Sequence, residues 1–231
     1  MTERKTSDLS LFFHELKSPI NAIINVAKLL ELSLTEMDKD KIKNYISLLL
    51  SQAVYMKNLI SNTLEIGKIQ SGKTELFLEE FDIVELLYEI YEWTKILVAT
   101  KPIEIVLNCS VKNFSVYSDP IKLKQILLNI TSNAVKFTDR GFITITLVVE
   151  ENFVKIVISD TGKGIKNLDT KSLFQPYCSL DSFNKKMHDS TGLGLYISKS
   201  LLDLIGGKIS IESEYGRGTT VSIRIPKKFK A

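Results

Sequence analysis

The chain has 231 residues, 44% hydrophobic and 25% charged, which suits one large or two small soluble globular domains and argues against a disordered or membrane-spanning class. Its net charge of +3 is too small to point to nucleic acid or an anionic membrane. Cys109 and Cys178 lie far apart in no motif, which fits a reducing cytoplasmic setting, and His14 and His188 are too few for a histidine-rich metal site. No apolar run reaches membrane-span length and no signal peptide opens the chain; any membrane attachment would come from segments outside it.

From Leu9 to about Gln70 the pattern is helical. Apolar residues recur at alternating steps of four and three: Leu9, Phe13, Leu16, Ile20, Ile23, Ala27, Leu30 and Leu34. After the polar break SLTEMDKDK the rhythm resumes at Ile42, Ile46, Leu49, Ala53, Met56, Ile60 and Thr63. This predicts a heptad seam on each of two helices, joined as an antiparallel hairpin. Two helices alone leave much of this apolar surface in water. Two hairpins paired as a four-helix bundle would cover it, so a homodimer through the hairpin is expected; the alternative is a hairpin packed on its own second domain.

Gly67 to Thr74, GKIQSGKT, fits the P-loop pattern G-x-x-x-x-G-K-[ST] letter for letter. A P-loop needs a strand before it and a helix after it, and here the order is inverted. The glycines read as a helix end and a linker turn.

Beyond about Gly72 strand-like runs appear: ELFLEEF, IEIVLNCSV, GFITITLVVE, FVKIVISD, GKISIES and TTVSIRIP. Helical runs alternate with them: Asp82 to about Ala99, Pro120 to Phe137, and Leu193 to Ile205. The fold class expected is α+β: an N-terminal antiparallel helical hairpin, residues 1–72, followed by an α/β sandwich, residues 73–231, with one mixed sheet under a helical layer.

Four segments of the second region carry nucleotide chemistry. In NITSNAVKF, Asn129, Asn133 and Lys136 share one helical face, with Phe137 next to them. Two amides and a lysine can hold a hydrated magnesium ion, through Asn133, and a triphosphate. In DTGKGI, Asp160 ends an apolar strand and can accept a hydrogen bond from an exocyclic amine such as adenine's; Gly162 and Gly164, before Ile165, let backbone approach a ring or phosphate. In TGLGL, the residues Thr191, Gly192, Leu193, Gly194 and Leu195 open a helix whose N–H groups form a phosphate site. The irregular stretch Lys166 to Ser190, with LFQPY, reads as a lid. In GRGTTVSIRIP, Thr219 or Thr220 is placed to support Asp160 through water, and Thr220 is taken as the site residue.

These segments, in this order, resemble the ATP-binding domain of the gyrase, heat-shock chaperone, histidine kinase and MutL superfamily, and its histidine kinase branch most. The first region then contributes HELKSP, His14 to Pro19, which is similar to the phosphoacceptor box of sensor histidine kinases. The resemblance implies a two-component protein-histidine kinase that binds ATP and Mg2+, transfers the γ-phosphoryl group to His14, and passes it to an aspartate on a response-regulator receiver domain. His14 points outward beside the seam; Glu15 is the candidate to take or stabilise its ring proton. Ser18 shares the His14 face, where family members often carry threonine associated with dephosphorylating the partner; phosphatase activity therefore turns on whether a serine hydroxyl suffices. His188 to Ser190, HDS, stands where relatives often have glycines, and Phe137 where they often have tyrosine. A dimeric nucleotide-binding scaffold is the alternative, which the intact Asn133, Lys136, Asp160 and lid glycines disfavour. Asn129 stands where a gyrase-like ATPase has a glutamate base, so bulk ATP hydrolysis should be slow.

Overall fold

The computed structural model describes residues 2–33, 38–166, 170–176 and 192–229, with side chains from residue 12. The described residues divide into two compact units, the first comprising 2–33 and 38–70 together with Pro176, Gly192 and Leu193, and the second 71–166, 170–175 and 194–229. In the first, α1 (Thr2–Ser33) and α2 (Lys39–Gln70) form the helical hairpin. Asp38 Oδ1 accepts from the Lys41 amide at 2.7 Å and so caps the start of α2.

The hairpin seam differs from the heptad reading. Leu16, Ile23, Leu30, Ile42, Leu49 and Met56 are half-buried as expected, whereas Phe13, Ile20, Ala27, Ile46, Ala53 and Ile60 are exposed. Pro19, Val26, Leu59 and Ile66 are buried instead. Alternate members of the expected seam thus belong to a second stripe that faces away from the partner helix. A helix that packs against more than one neighbour carries such a wide apolar face. Leu9 and Leu34 lie outside the described side chains.

In the second unit, β1 (Glu79–Asp82) pairs antiparallel with β3 (Ser115–Ser118), with α3 (Ile83–Leu97) and β2 (Ile103–Cys109) between them in sequence. Then come α4 (Pro120–Phe137), β4 (Gly141–Val149), β5 (Phe153–Asp160), the single turn α5 (Thr170–Leu173), α6 (Gly194–Leu204), β6 (Lys208–Glu214) and β7 (Gly218–Pro226). The main sheet runs β2-β4-β5-β7-β6, with β2–β4 parallel and the other pairs antiparallel. Of the run ELFLEEF only its last three residues, Glu79, Glu80 and Phe81, join a strand, and the four-residue β3 carries no strand signal in the sequence.

Strand periodicity places the core. Ile143, Ile145 and Leu147 of β4, Val154, Ile156 and Ile158 of β5, and Val221, Ile223 and Ile225 of β7 are buried on one face. They are covered by the apolar faces of α3 (Ile83, Leu87, Ile90), α4 (Leu123, Ile126, Leu127, Ile130) and α6 (Ile197, Leu201, Leu202), all buried. Each such side chain contributes about 1.5–3 kcal/mol on burial, so the layer holds α4 and α6 rigidly over the sheet. Asp119 caps α4 through Oδ1, which accepts from the Lys122 amide at 2.9 Å, with Pro120 at the first helical position.

Candidate nucleotide site and phosphoacceptor

With Leu123, Ile126, Leu127 and Ile130 buried on one face of α4, Asn129, Asn133 and Lys136 lie half-buried along the flank of that face, and the Lys136 ammonium nitrogen is buried. Asn129 Nδ2 donates to Ser198 Oγ of α6 at 2.7 Å. Gly194, the first residue of α6, has no Cβ where one would stand 2.4 Å from Asn129 Oδ1. The start of α6 and the middle of α4 are thereby fitted to each other. Leu193 is buried, and Gly192 and Leu195 are half-buried; Thr191, His188 and the rest of HDS, Tyr177 and Cys178 lie outside the described residues.

At its C-terminal end α4 meets the DTGKGI loop. The Lys163 amide donates to the Phe137 carbonyl at 3.1 Å, and the Lys136 and Lys163 ammonium groups lie 5.3 and 4.8 Å from the Phe137 ring centroid. A Cβ on Gly162 would come within 2.3 Å of that same carbonyl, so the loop can lie this close to α4 only with glycine there. Asp160 Oδ1 accepts from the Gly162 amide at 2.9 Å. Burial pushes the Asp160 carboxyl up from its ordinary value, while the Gly162 and Thr219 amides and the nearby Thr138 hydroxyl pull it back. Thr138 Oγ1 is buried and meets no partner at full hydrogen-bond geometry, so its contribution is that of a nearby dipole. Asp160 is thus an acceptor drawn out of water, where a further donor gains most.

The loop is anchored to the β6–β7 hairpin. Ser213 Oγ accepts from the Ile165 amide at 2.9 Å, donates to the Gly218 carbonyl at 2.8 Å and lies 2.9 Å from Thr219 Oγ1. Gly164 adopts φ +64° in a position where a Cβ would lie 2.1 Å from the Glu214 carbonyl.

Of the two threonines, Thr219 is the one that lies beside Asp160. Asp160 pairs with Thr219 and Ser159 with Thr220, so the pleat puts Thr219 on the helix-covered face with Asp160. Thr220 lies on the other face, its hydroxyl 3.0 Å from Ser159 Oγ. The sequence reading also passed over Ser198, Ser213 and Thr138. The only trace of Ser198 in the sequence is a hydroxyl on the apolar side of a helix, a buried polar group that needs a partner.

On the hairpin, His14 and Ser18 are exposed, Glu15 is half-buried and Pro19 is buried. The hydrogen bond that Glu15 makes is with Tyr55 of α2, whose hydroxyl donates to Oε2 at 3.1 Å. Tyr55 is a further residue that the sequence did not signal. As for GKIQSGKT, its first four residues belong to α2, and a Cβ added at Gly67 or Gly72 would meet nothing within 4 Å. No strand leads into it, and the P-loop reading fails on structure.

Two family profiles match the chain: the His Kinase A (phospho-acceptor) domain over residues 13–72, and the histidine kinase-, DNA gyrase B- and HSP90-like ATPase over residues 118–228. A sensor-like histidine kinase of Rhizobium meliloti, R01002, is 31% identical over 97% of this chain and 43% of its own length. Full-length ShkA, solved in complex with AMPPNP, superposes with a TM-score of 0.71 at 27% identity over 98% of this chain and 46% of that one. The histidine kinase ThkA, solved in complex with the response regulator protein TrrA, has the same fold, with a TM-score of 0.71 at 23% identity over 97% of this chain and 61% of that one. The chain spans less than half the length of such curated relatives as R01002, 43% in that case. Among the described residues no helix is long and apolar enough to cross a membrane. With a phosphoacceptor domain followed by an ATPase-type domain, the chain belongs to the histidine kinase family and carries that family's catalytic core.

Proposed function

We propose that the chain is the core of a two-component sensor histidine kinase, in which residues 1–72 form the dimerisation and phosphoacceptor domain and residues 73–231 the ATP-binding catalytic domain. The observation that carries this reading is the meeting of α4 with the DTGKGI loop at Phe137. It sets a partly desolvated carboxylate, Asp160, beside a helix face bearing two amides and a lysine. A nucleotide fits the residues present. Asp160 accepts from an adenine amino group, Thr219 supports it on the same face, and Gly162 and Gly194 keep the walls open by lacking Cβ atoms that neighbours would meet. Lys136 faces the phosphates, and Asn129 and Asn133 present amides beside it.

Among the described residues no three His, Cys, Asp or Glu side chains converge. The Asn133 amide oxygen would hold magnesium, a hard cation that takes oxygen ligands. When bound, magnesium-ATP supplies the γ-phosphoryl group, with its charge partly neutralised by the metal. The protein's own part is positioning. His14 offers an exposed imidazole whose lone-pair nitrogen can act as the nucleophile. Glu15 stabilises the proton on the other ring nitrogen, and Tyr55 fixes one of its carboxylate oxygens on the side of α2.

The phosphoryl group then passes to an aspartate of a response-regulator receiver domain; Ser18, exposed on the same helix, is the hydroxyl that would orient a water to hydrolyse that aspartyl phosphate to aspartate and inorganic phosphate. The outward stripe of the hairpin, including Phe13, Ile20, Ile24, Ile46 and Ile60, is covered by a second copy, giving the homodimer. The test is a titration with ATP, with and without magnesium, followed by mixing with candidate receiver domains. Magnesium-dependent tightening and transfer to one receiver support the reading. Binding without any phosphoryl transfer would leave a nucleotide-binding scaffold.

A further inference from the structure

One charged side chain near this site is used by nothing above. Lys101 lies between α3 and β2, half-buried, with its own amide donating to the Val98 carbonyl at 2.8 Å. Its ammonium reaches the C-terminal end of α4, where it donates to the Val135 carbonyl at 2.7 Å and the Thr138 carbonyl at 2.9 Å. The last four carbonyls of a helix have no partner within the helix, and the helix dipole makes that end negative. A cation that bonds two of these carbonyls therefore both satisfies them and complements the dipole. The Phe137 carbonyl, between the two, is taken by the Lys163 amide. Three anchored carbonyls, those of Val135, Phe137 and Thr138, thus hold the last turn of α4 and its exit. Lys136 and Phe137 lie inside this turn, Asn133 just before it, and Thr138 leads from it toward Asp160.

We propose that Lys101 is a positioning residue of the nucleotide site. Its ammonium caps the last turn of α4 and so keeps Asn133, Lys136 and Phe137 in register with Asp160. It touches no nucleotide itself. The inference rests on the nucleotide reading above and adds the device that holds the two halves of that site together. The physical reason is local. Helix ends fray first, and a frayed last turn would move the phosphate-facing lysine away from the carboxylate that holds the base.

The test compares the whole chain with Lys101→Met, Lys101→Gln and Lys101→Arg at a temperature where each is folded by circular dichroism. Two readouts are taken: the dissociation constant for AMPPNP with magnesium, and amide hydrogen exchange without nucleotide. K101M is expected to weaken AMPPNP about tenfold, the scale of one or two charge-assisted hydrogen bonds. It should also speed exchange in residues 134–139 while leaving the strands β5 and β7 protected. K101R, which keeps charge and donors, should bind within about threefold of the parent. K101Q, with an N–H donor and no charge, falls between, and it replaces K101M in the comparison if that variant melts below the assay temperature. AMPPNP binding in K101M and K101Q equal to the parent overturns the proposal. So does weakened binding that K101R fails to restore. A parent chain that binds no nucleotide would instead sink the reading on which the proposal stands, and the exchange data without nucleotide would then show the cap as a purely structural one.

Discussion

In GKIQSGKT a Cβ added at Gly67 or Gly72 would meet no atom within 4 Å; in DTGKGI a Cβ at Gly162 would stand 2.3 Å from the Phe137 carbonyl, and one at Gly164 2.1 Å from that of Glu214. The first stretch spells a phosphate-binding motif in full, and the second contains only a G-x-G. What separates them is how closely other backbone approaches. A glycine that a pocket requires is one whose missing side chain makes room for something, and around Gly67 there is nothing to make room for. Letters report the pattern, while crowding reports the need.

The sharpest way to break the comparison is at Asp160, the acceptor that the crowded loop presents. Asp160→Asn is expected to weaken nucleotide binding about 100-fold, as loss of a charge-assisted hydrogen bond does. Its stability without nucleotide should not fall. Burial holds the folded-state pKa above the unfolded one, so ionisation at neutral pH opposes folding. The favourable contribution of Asp160 is complete below the unfolded pKa and is lost as pH rises through the raised folded value. The neutral amide removes that loss. Denaturant melts near pH 7 with parallel nucleotide titrations separate the two effects; a variant that unfolds more easily at that pH would contradict the desolvation argument.

Gly162→Ala comes next. Its new methyl must displace the end of α4 or the loop, at a cost of about 1–3 kcal/mol in urea unfolding, with weaker nucleotide binding besides. Ser213→Ala leaves the Ile165 amide without its acceptor and should cost about 1–2 kcal/mol by the same measurement. The smallest effect belongs to the open stretch. Gly67→Ala, inside the last turns of α2, should stabilise the hairpin by about 0.5–1 kcal/mol and leave nucleotide affinity unchanged. A Gly67→Ala chain that lost ATP binding would restore the P-loop reading.

The comparison also marks how far the sequence could be read. Features set by neighbours along the chain were legible. SDP marked the start of α4 at Pro120, the 3.6-residue rhythm placed Asn129, Asn133 and Lys136 on one face, and FVKIVISD marked the strand β5. Features set by distant partners were not. Which stripe of the hairpin faces α2 depends on how many neighbours each helix has, so every second expected seam residue came out exposed. The choice between Thr219 and Thr220 needed the pairing of β5 with β7, because a shift of one residue changes the face. Ser198, Ser213, Tyr55 and Lys101 act across 69, 48, 40 and 34 residues of chain respectively, and no local pattern marks such contacts.

The central claim, that the imidazole on the hairpin is the acceptor for the nucleotide's terminal phosphoryl group, is tested most directly by mapping the phosphate. The chain is incubated with magnesium and γ-labelled ATP, and the modified residue is located under alkaline conditions by mass spectrometry. The account predicts one acid-labile, base-stable phosphate on His14, absent from a His14→Ala chain that still binds AMPPNP. Acid-stable phosphate on a serine, or an unmodified His14 in a chain saturated with nucleotide, would contradict it.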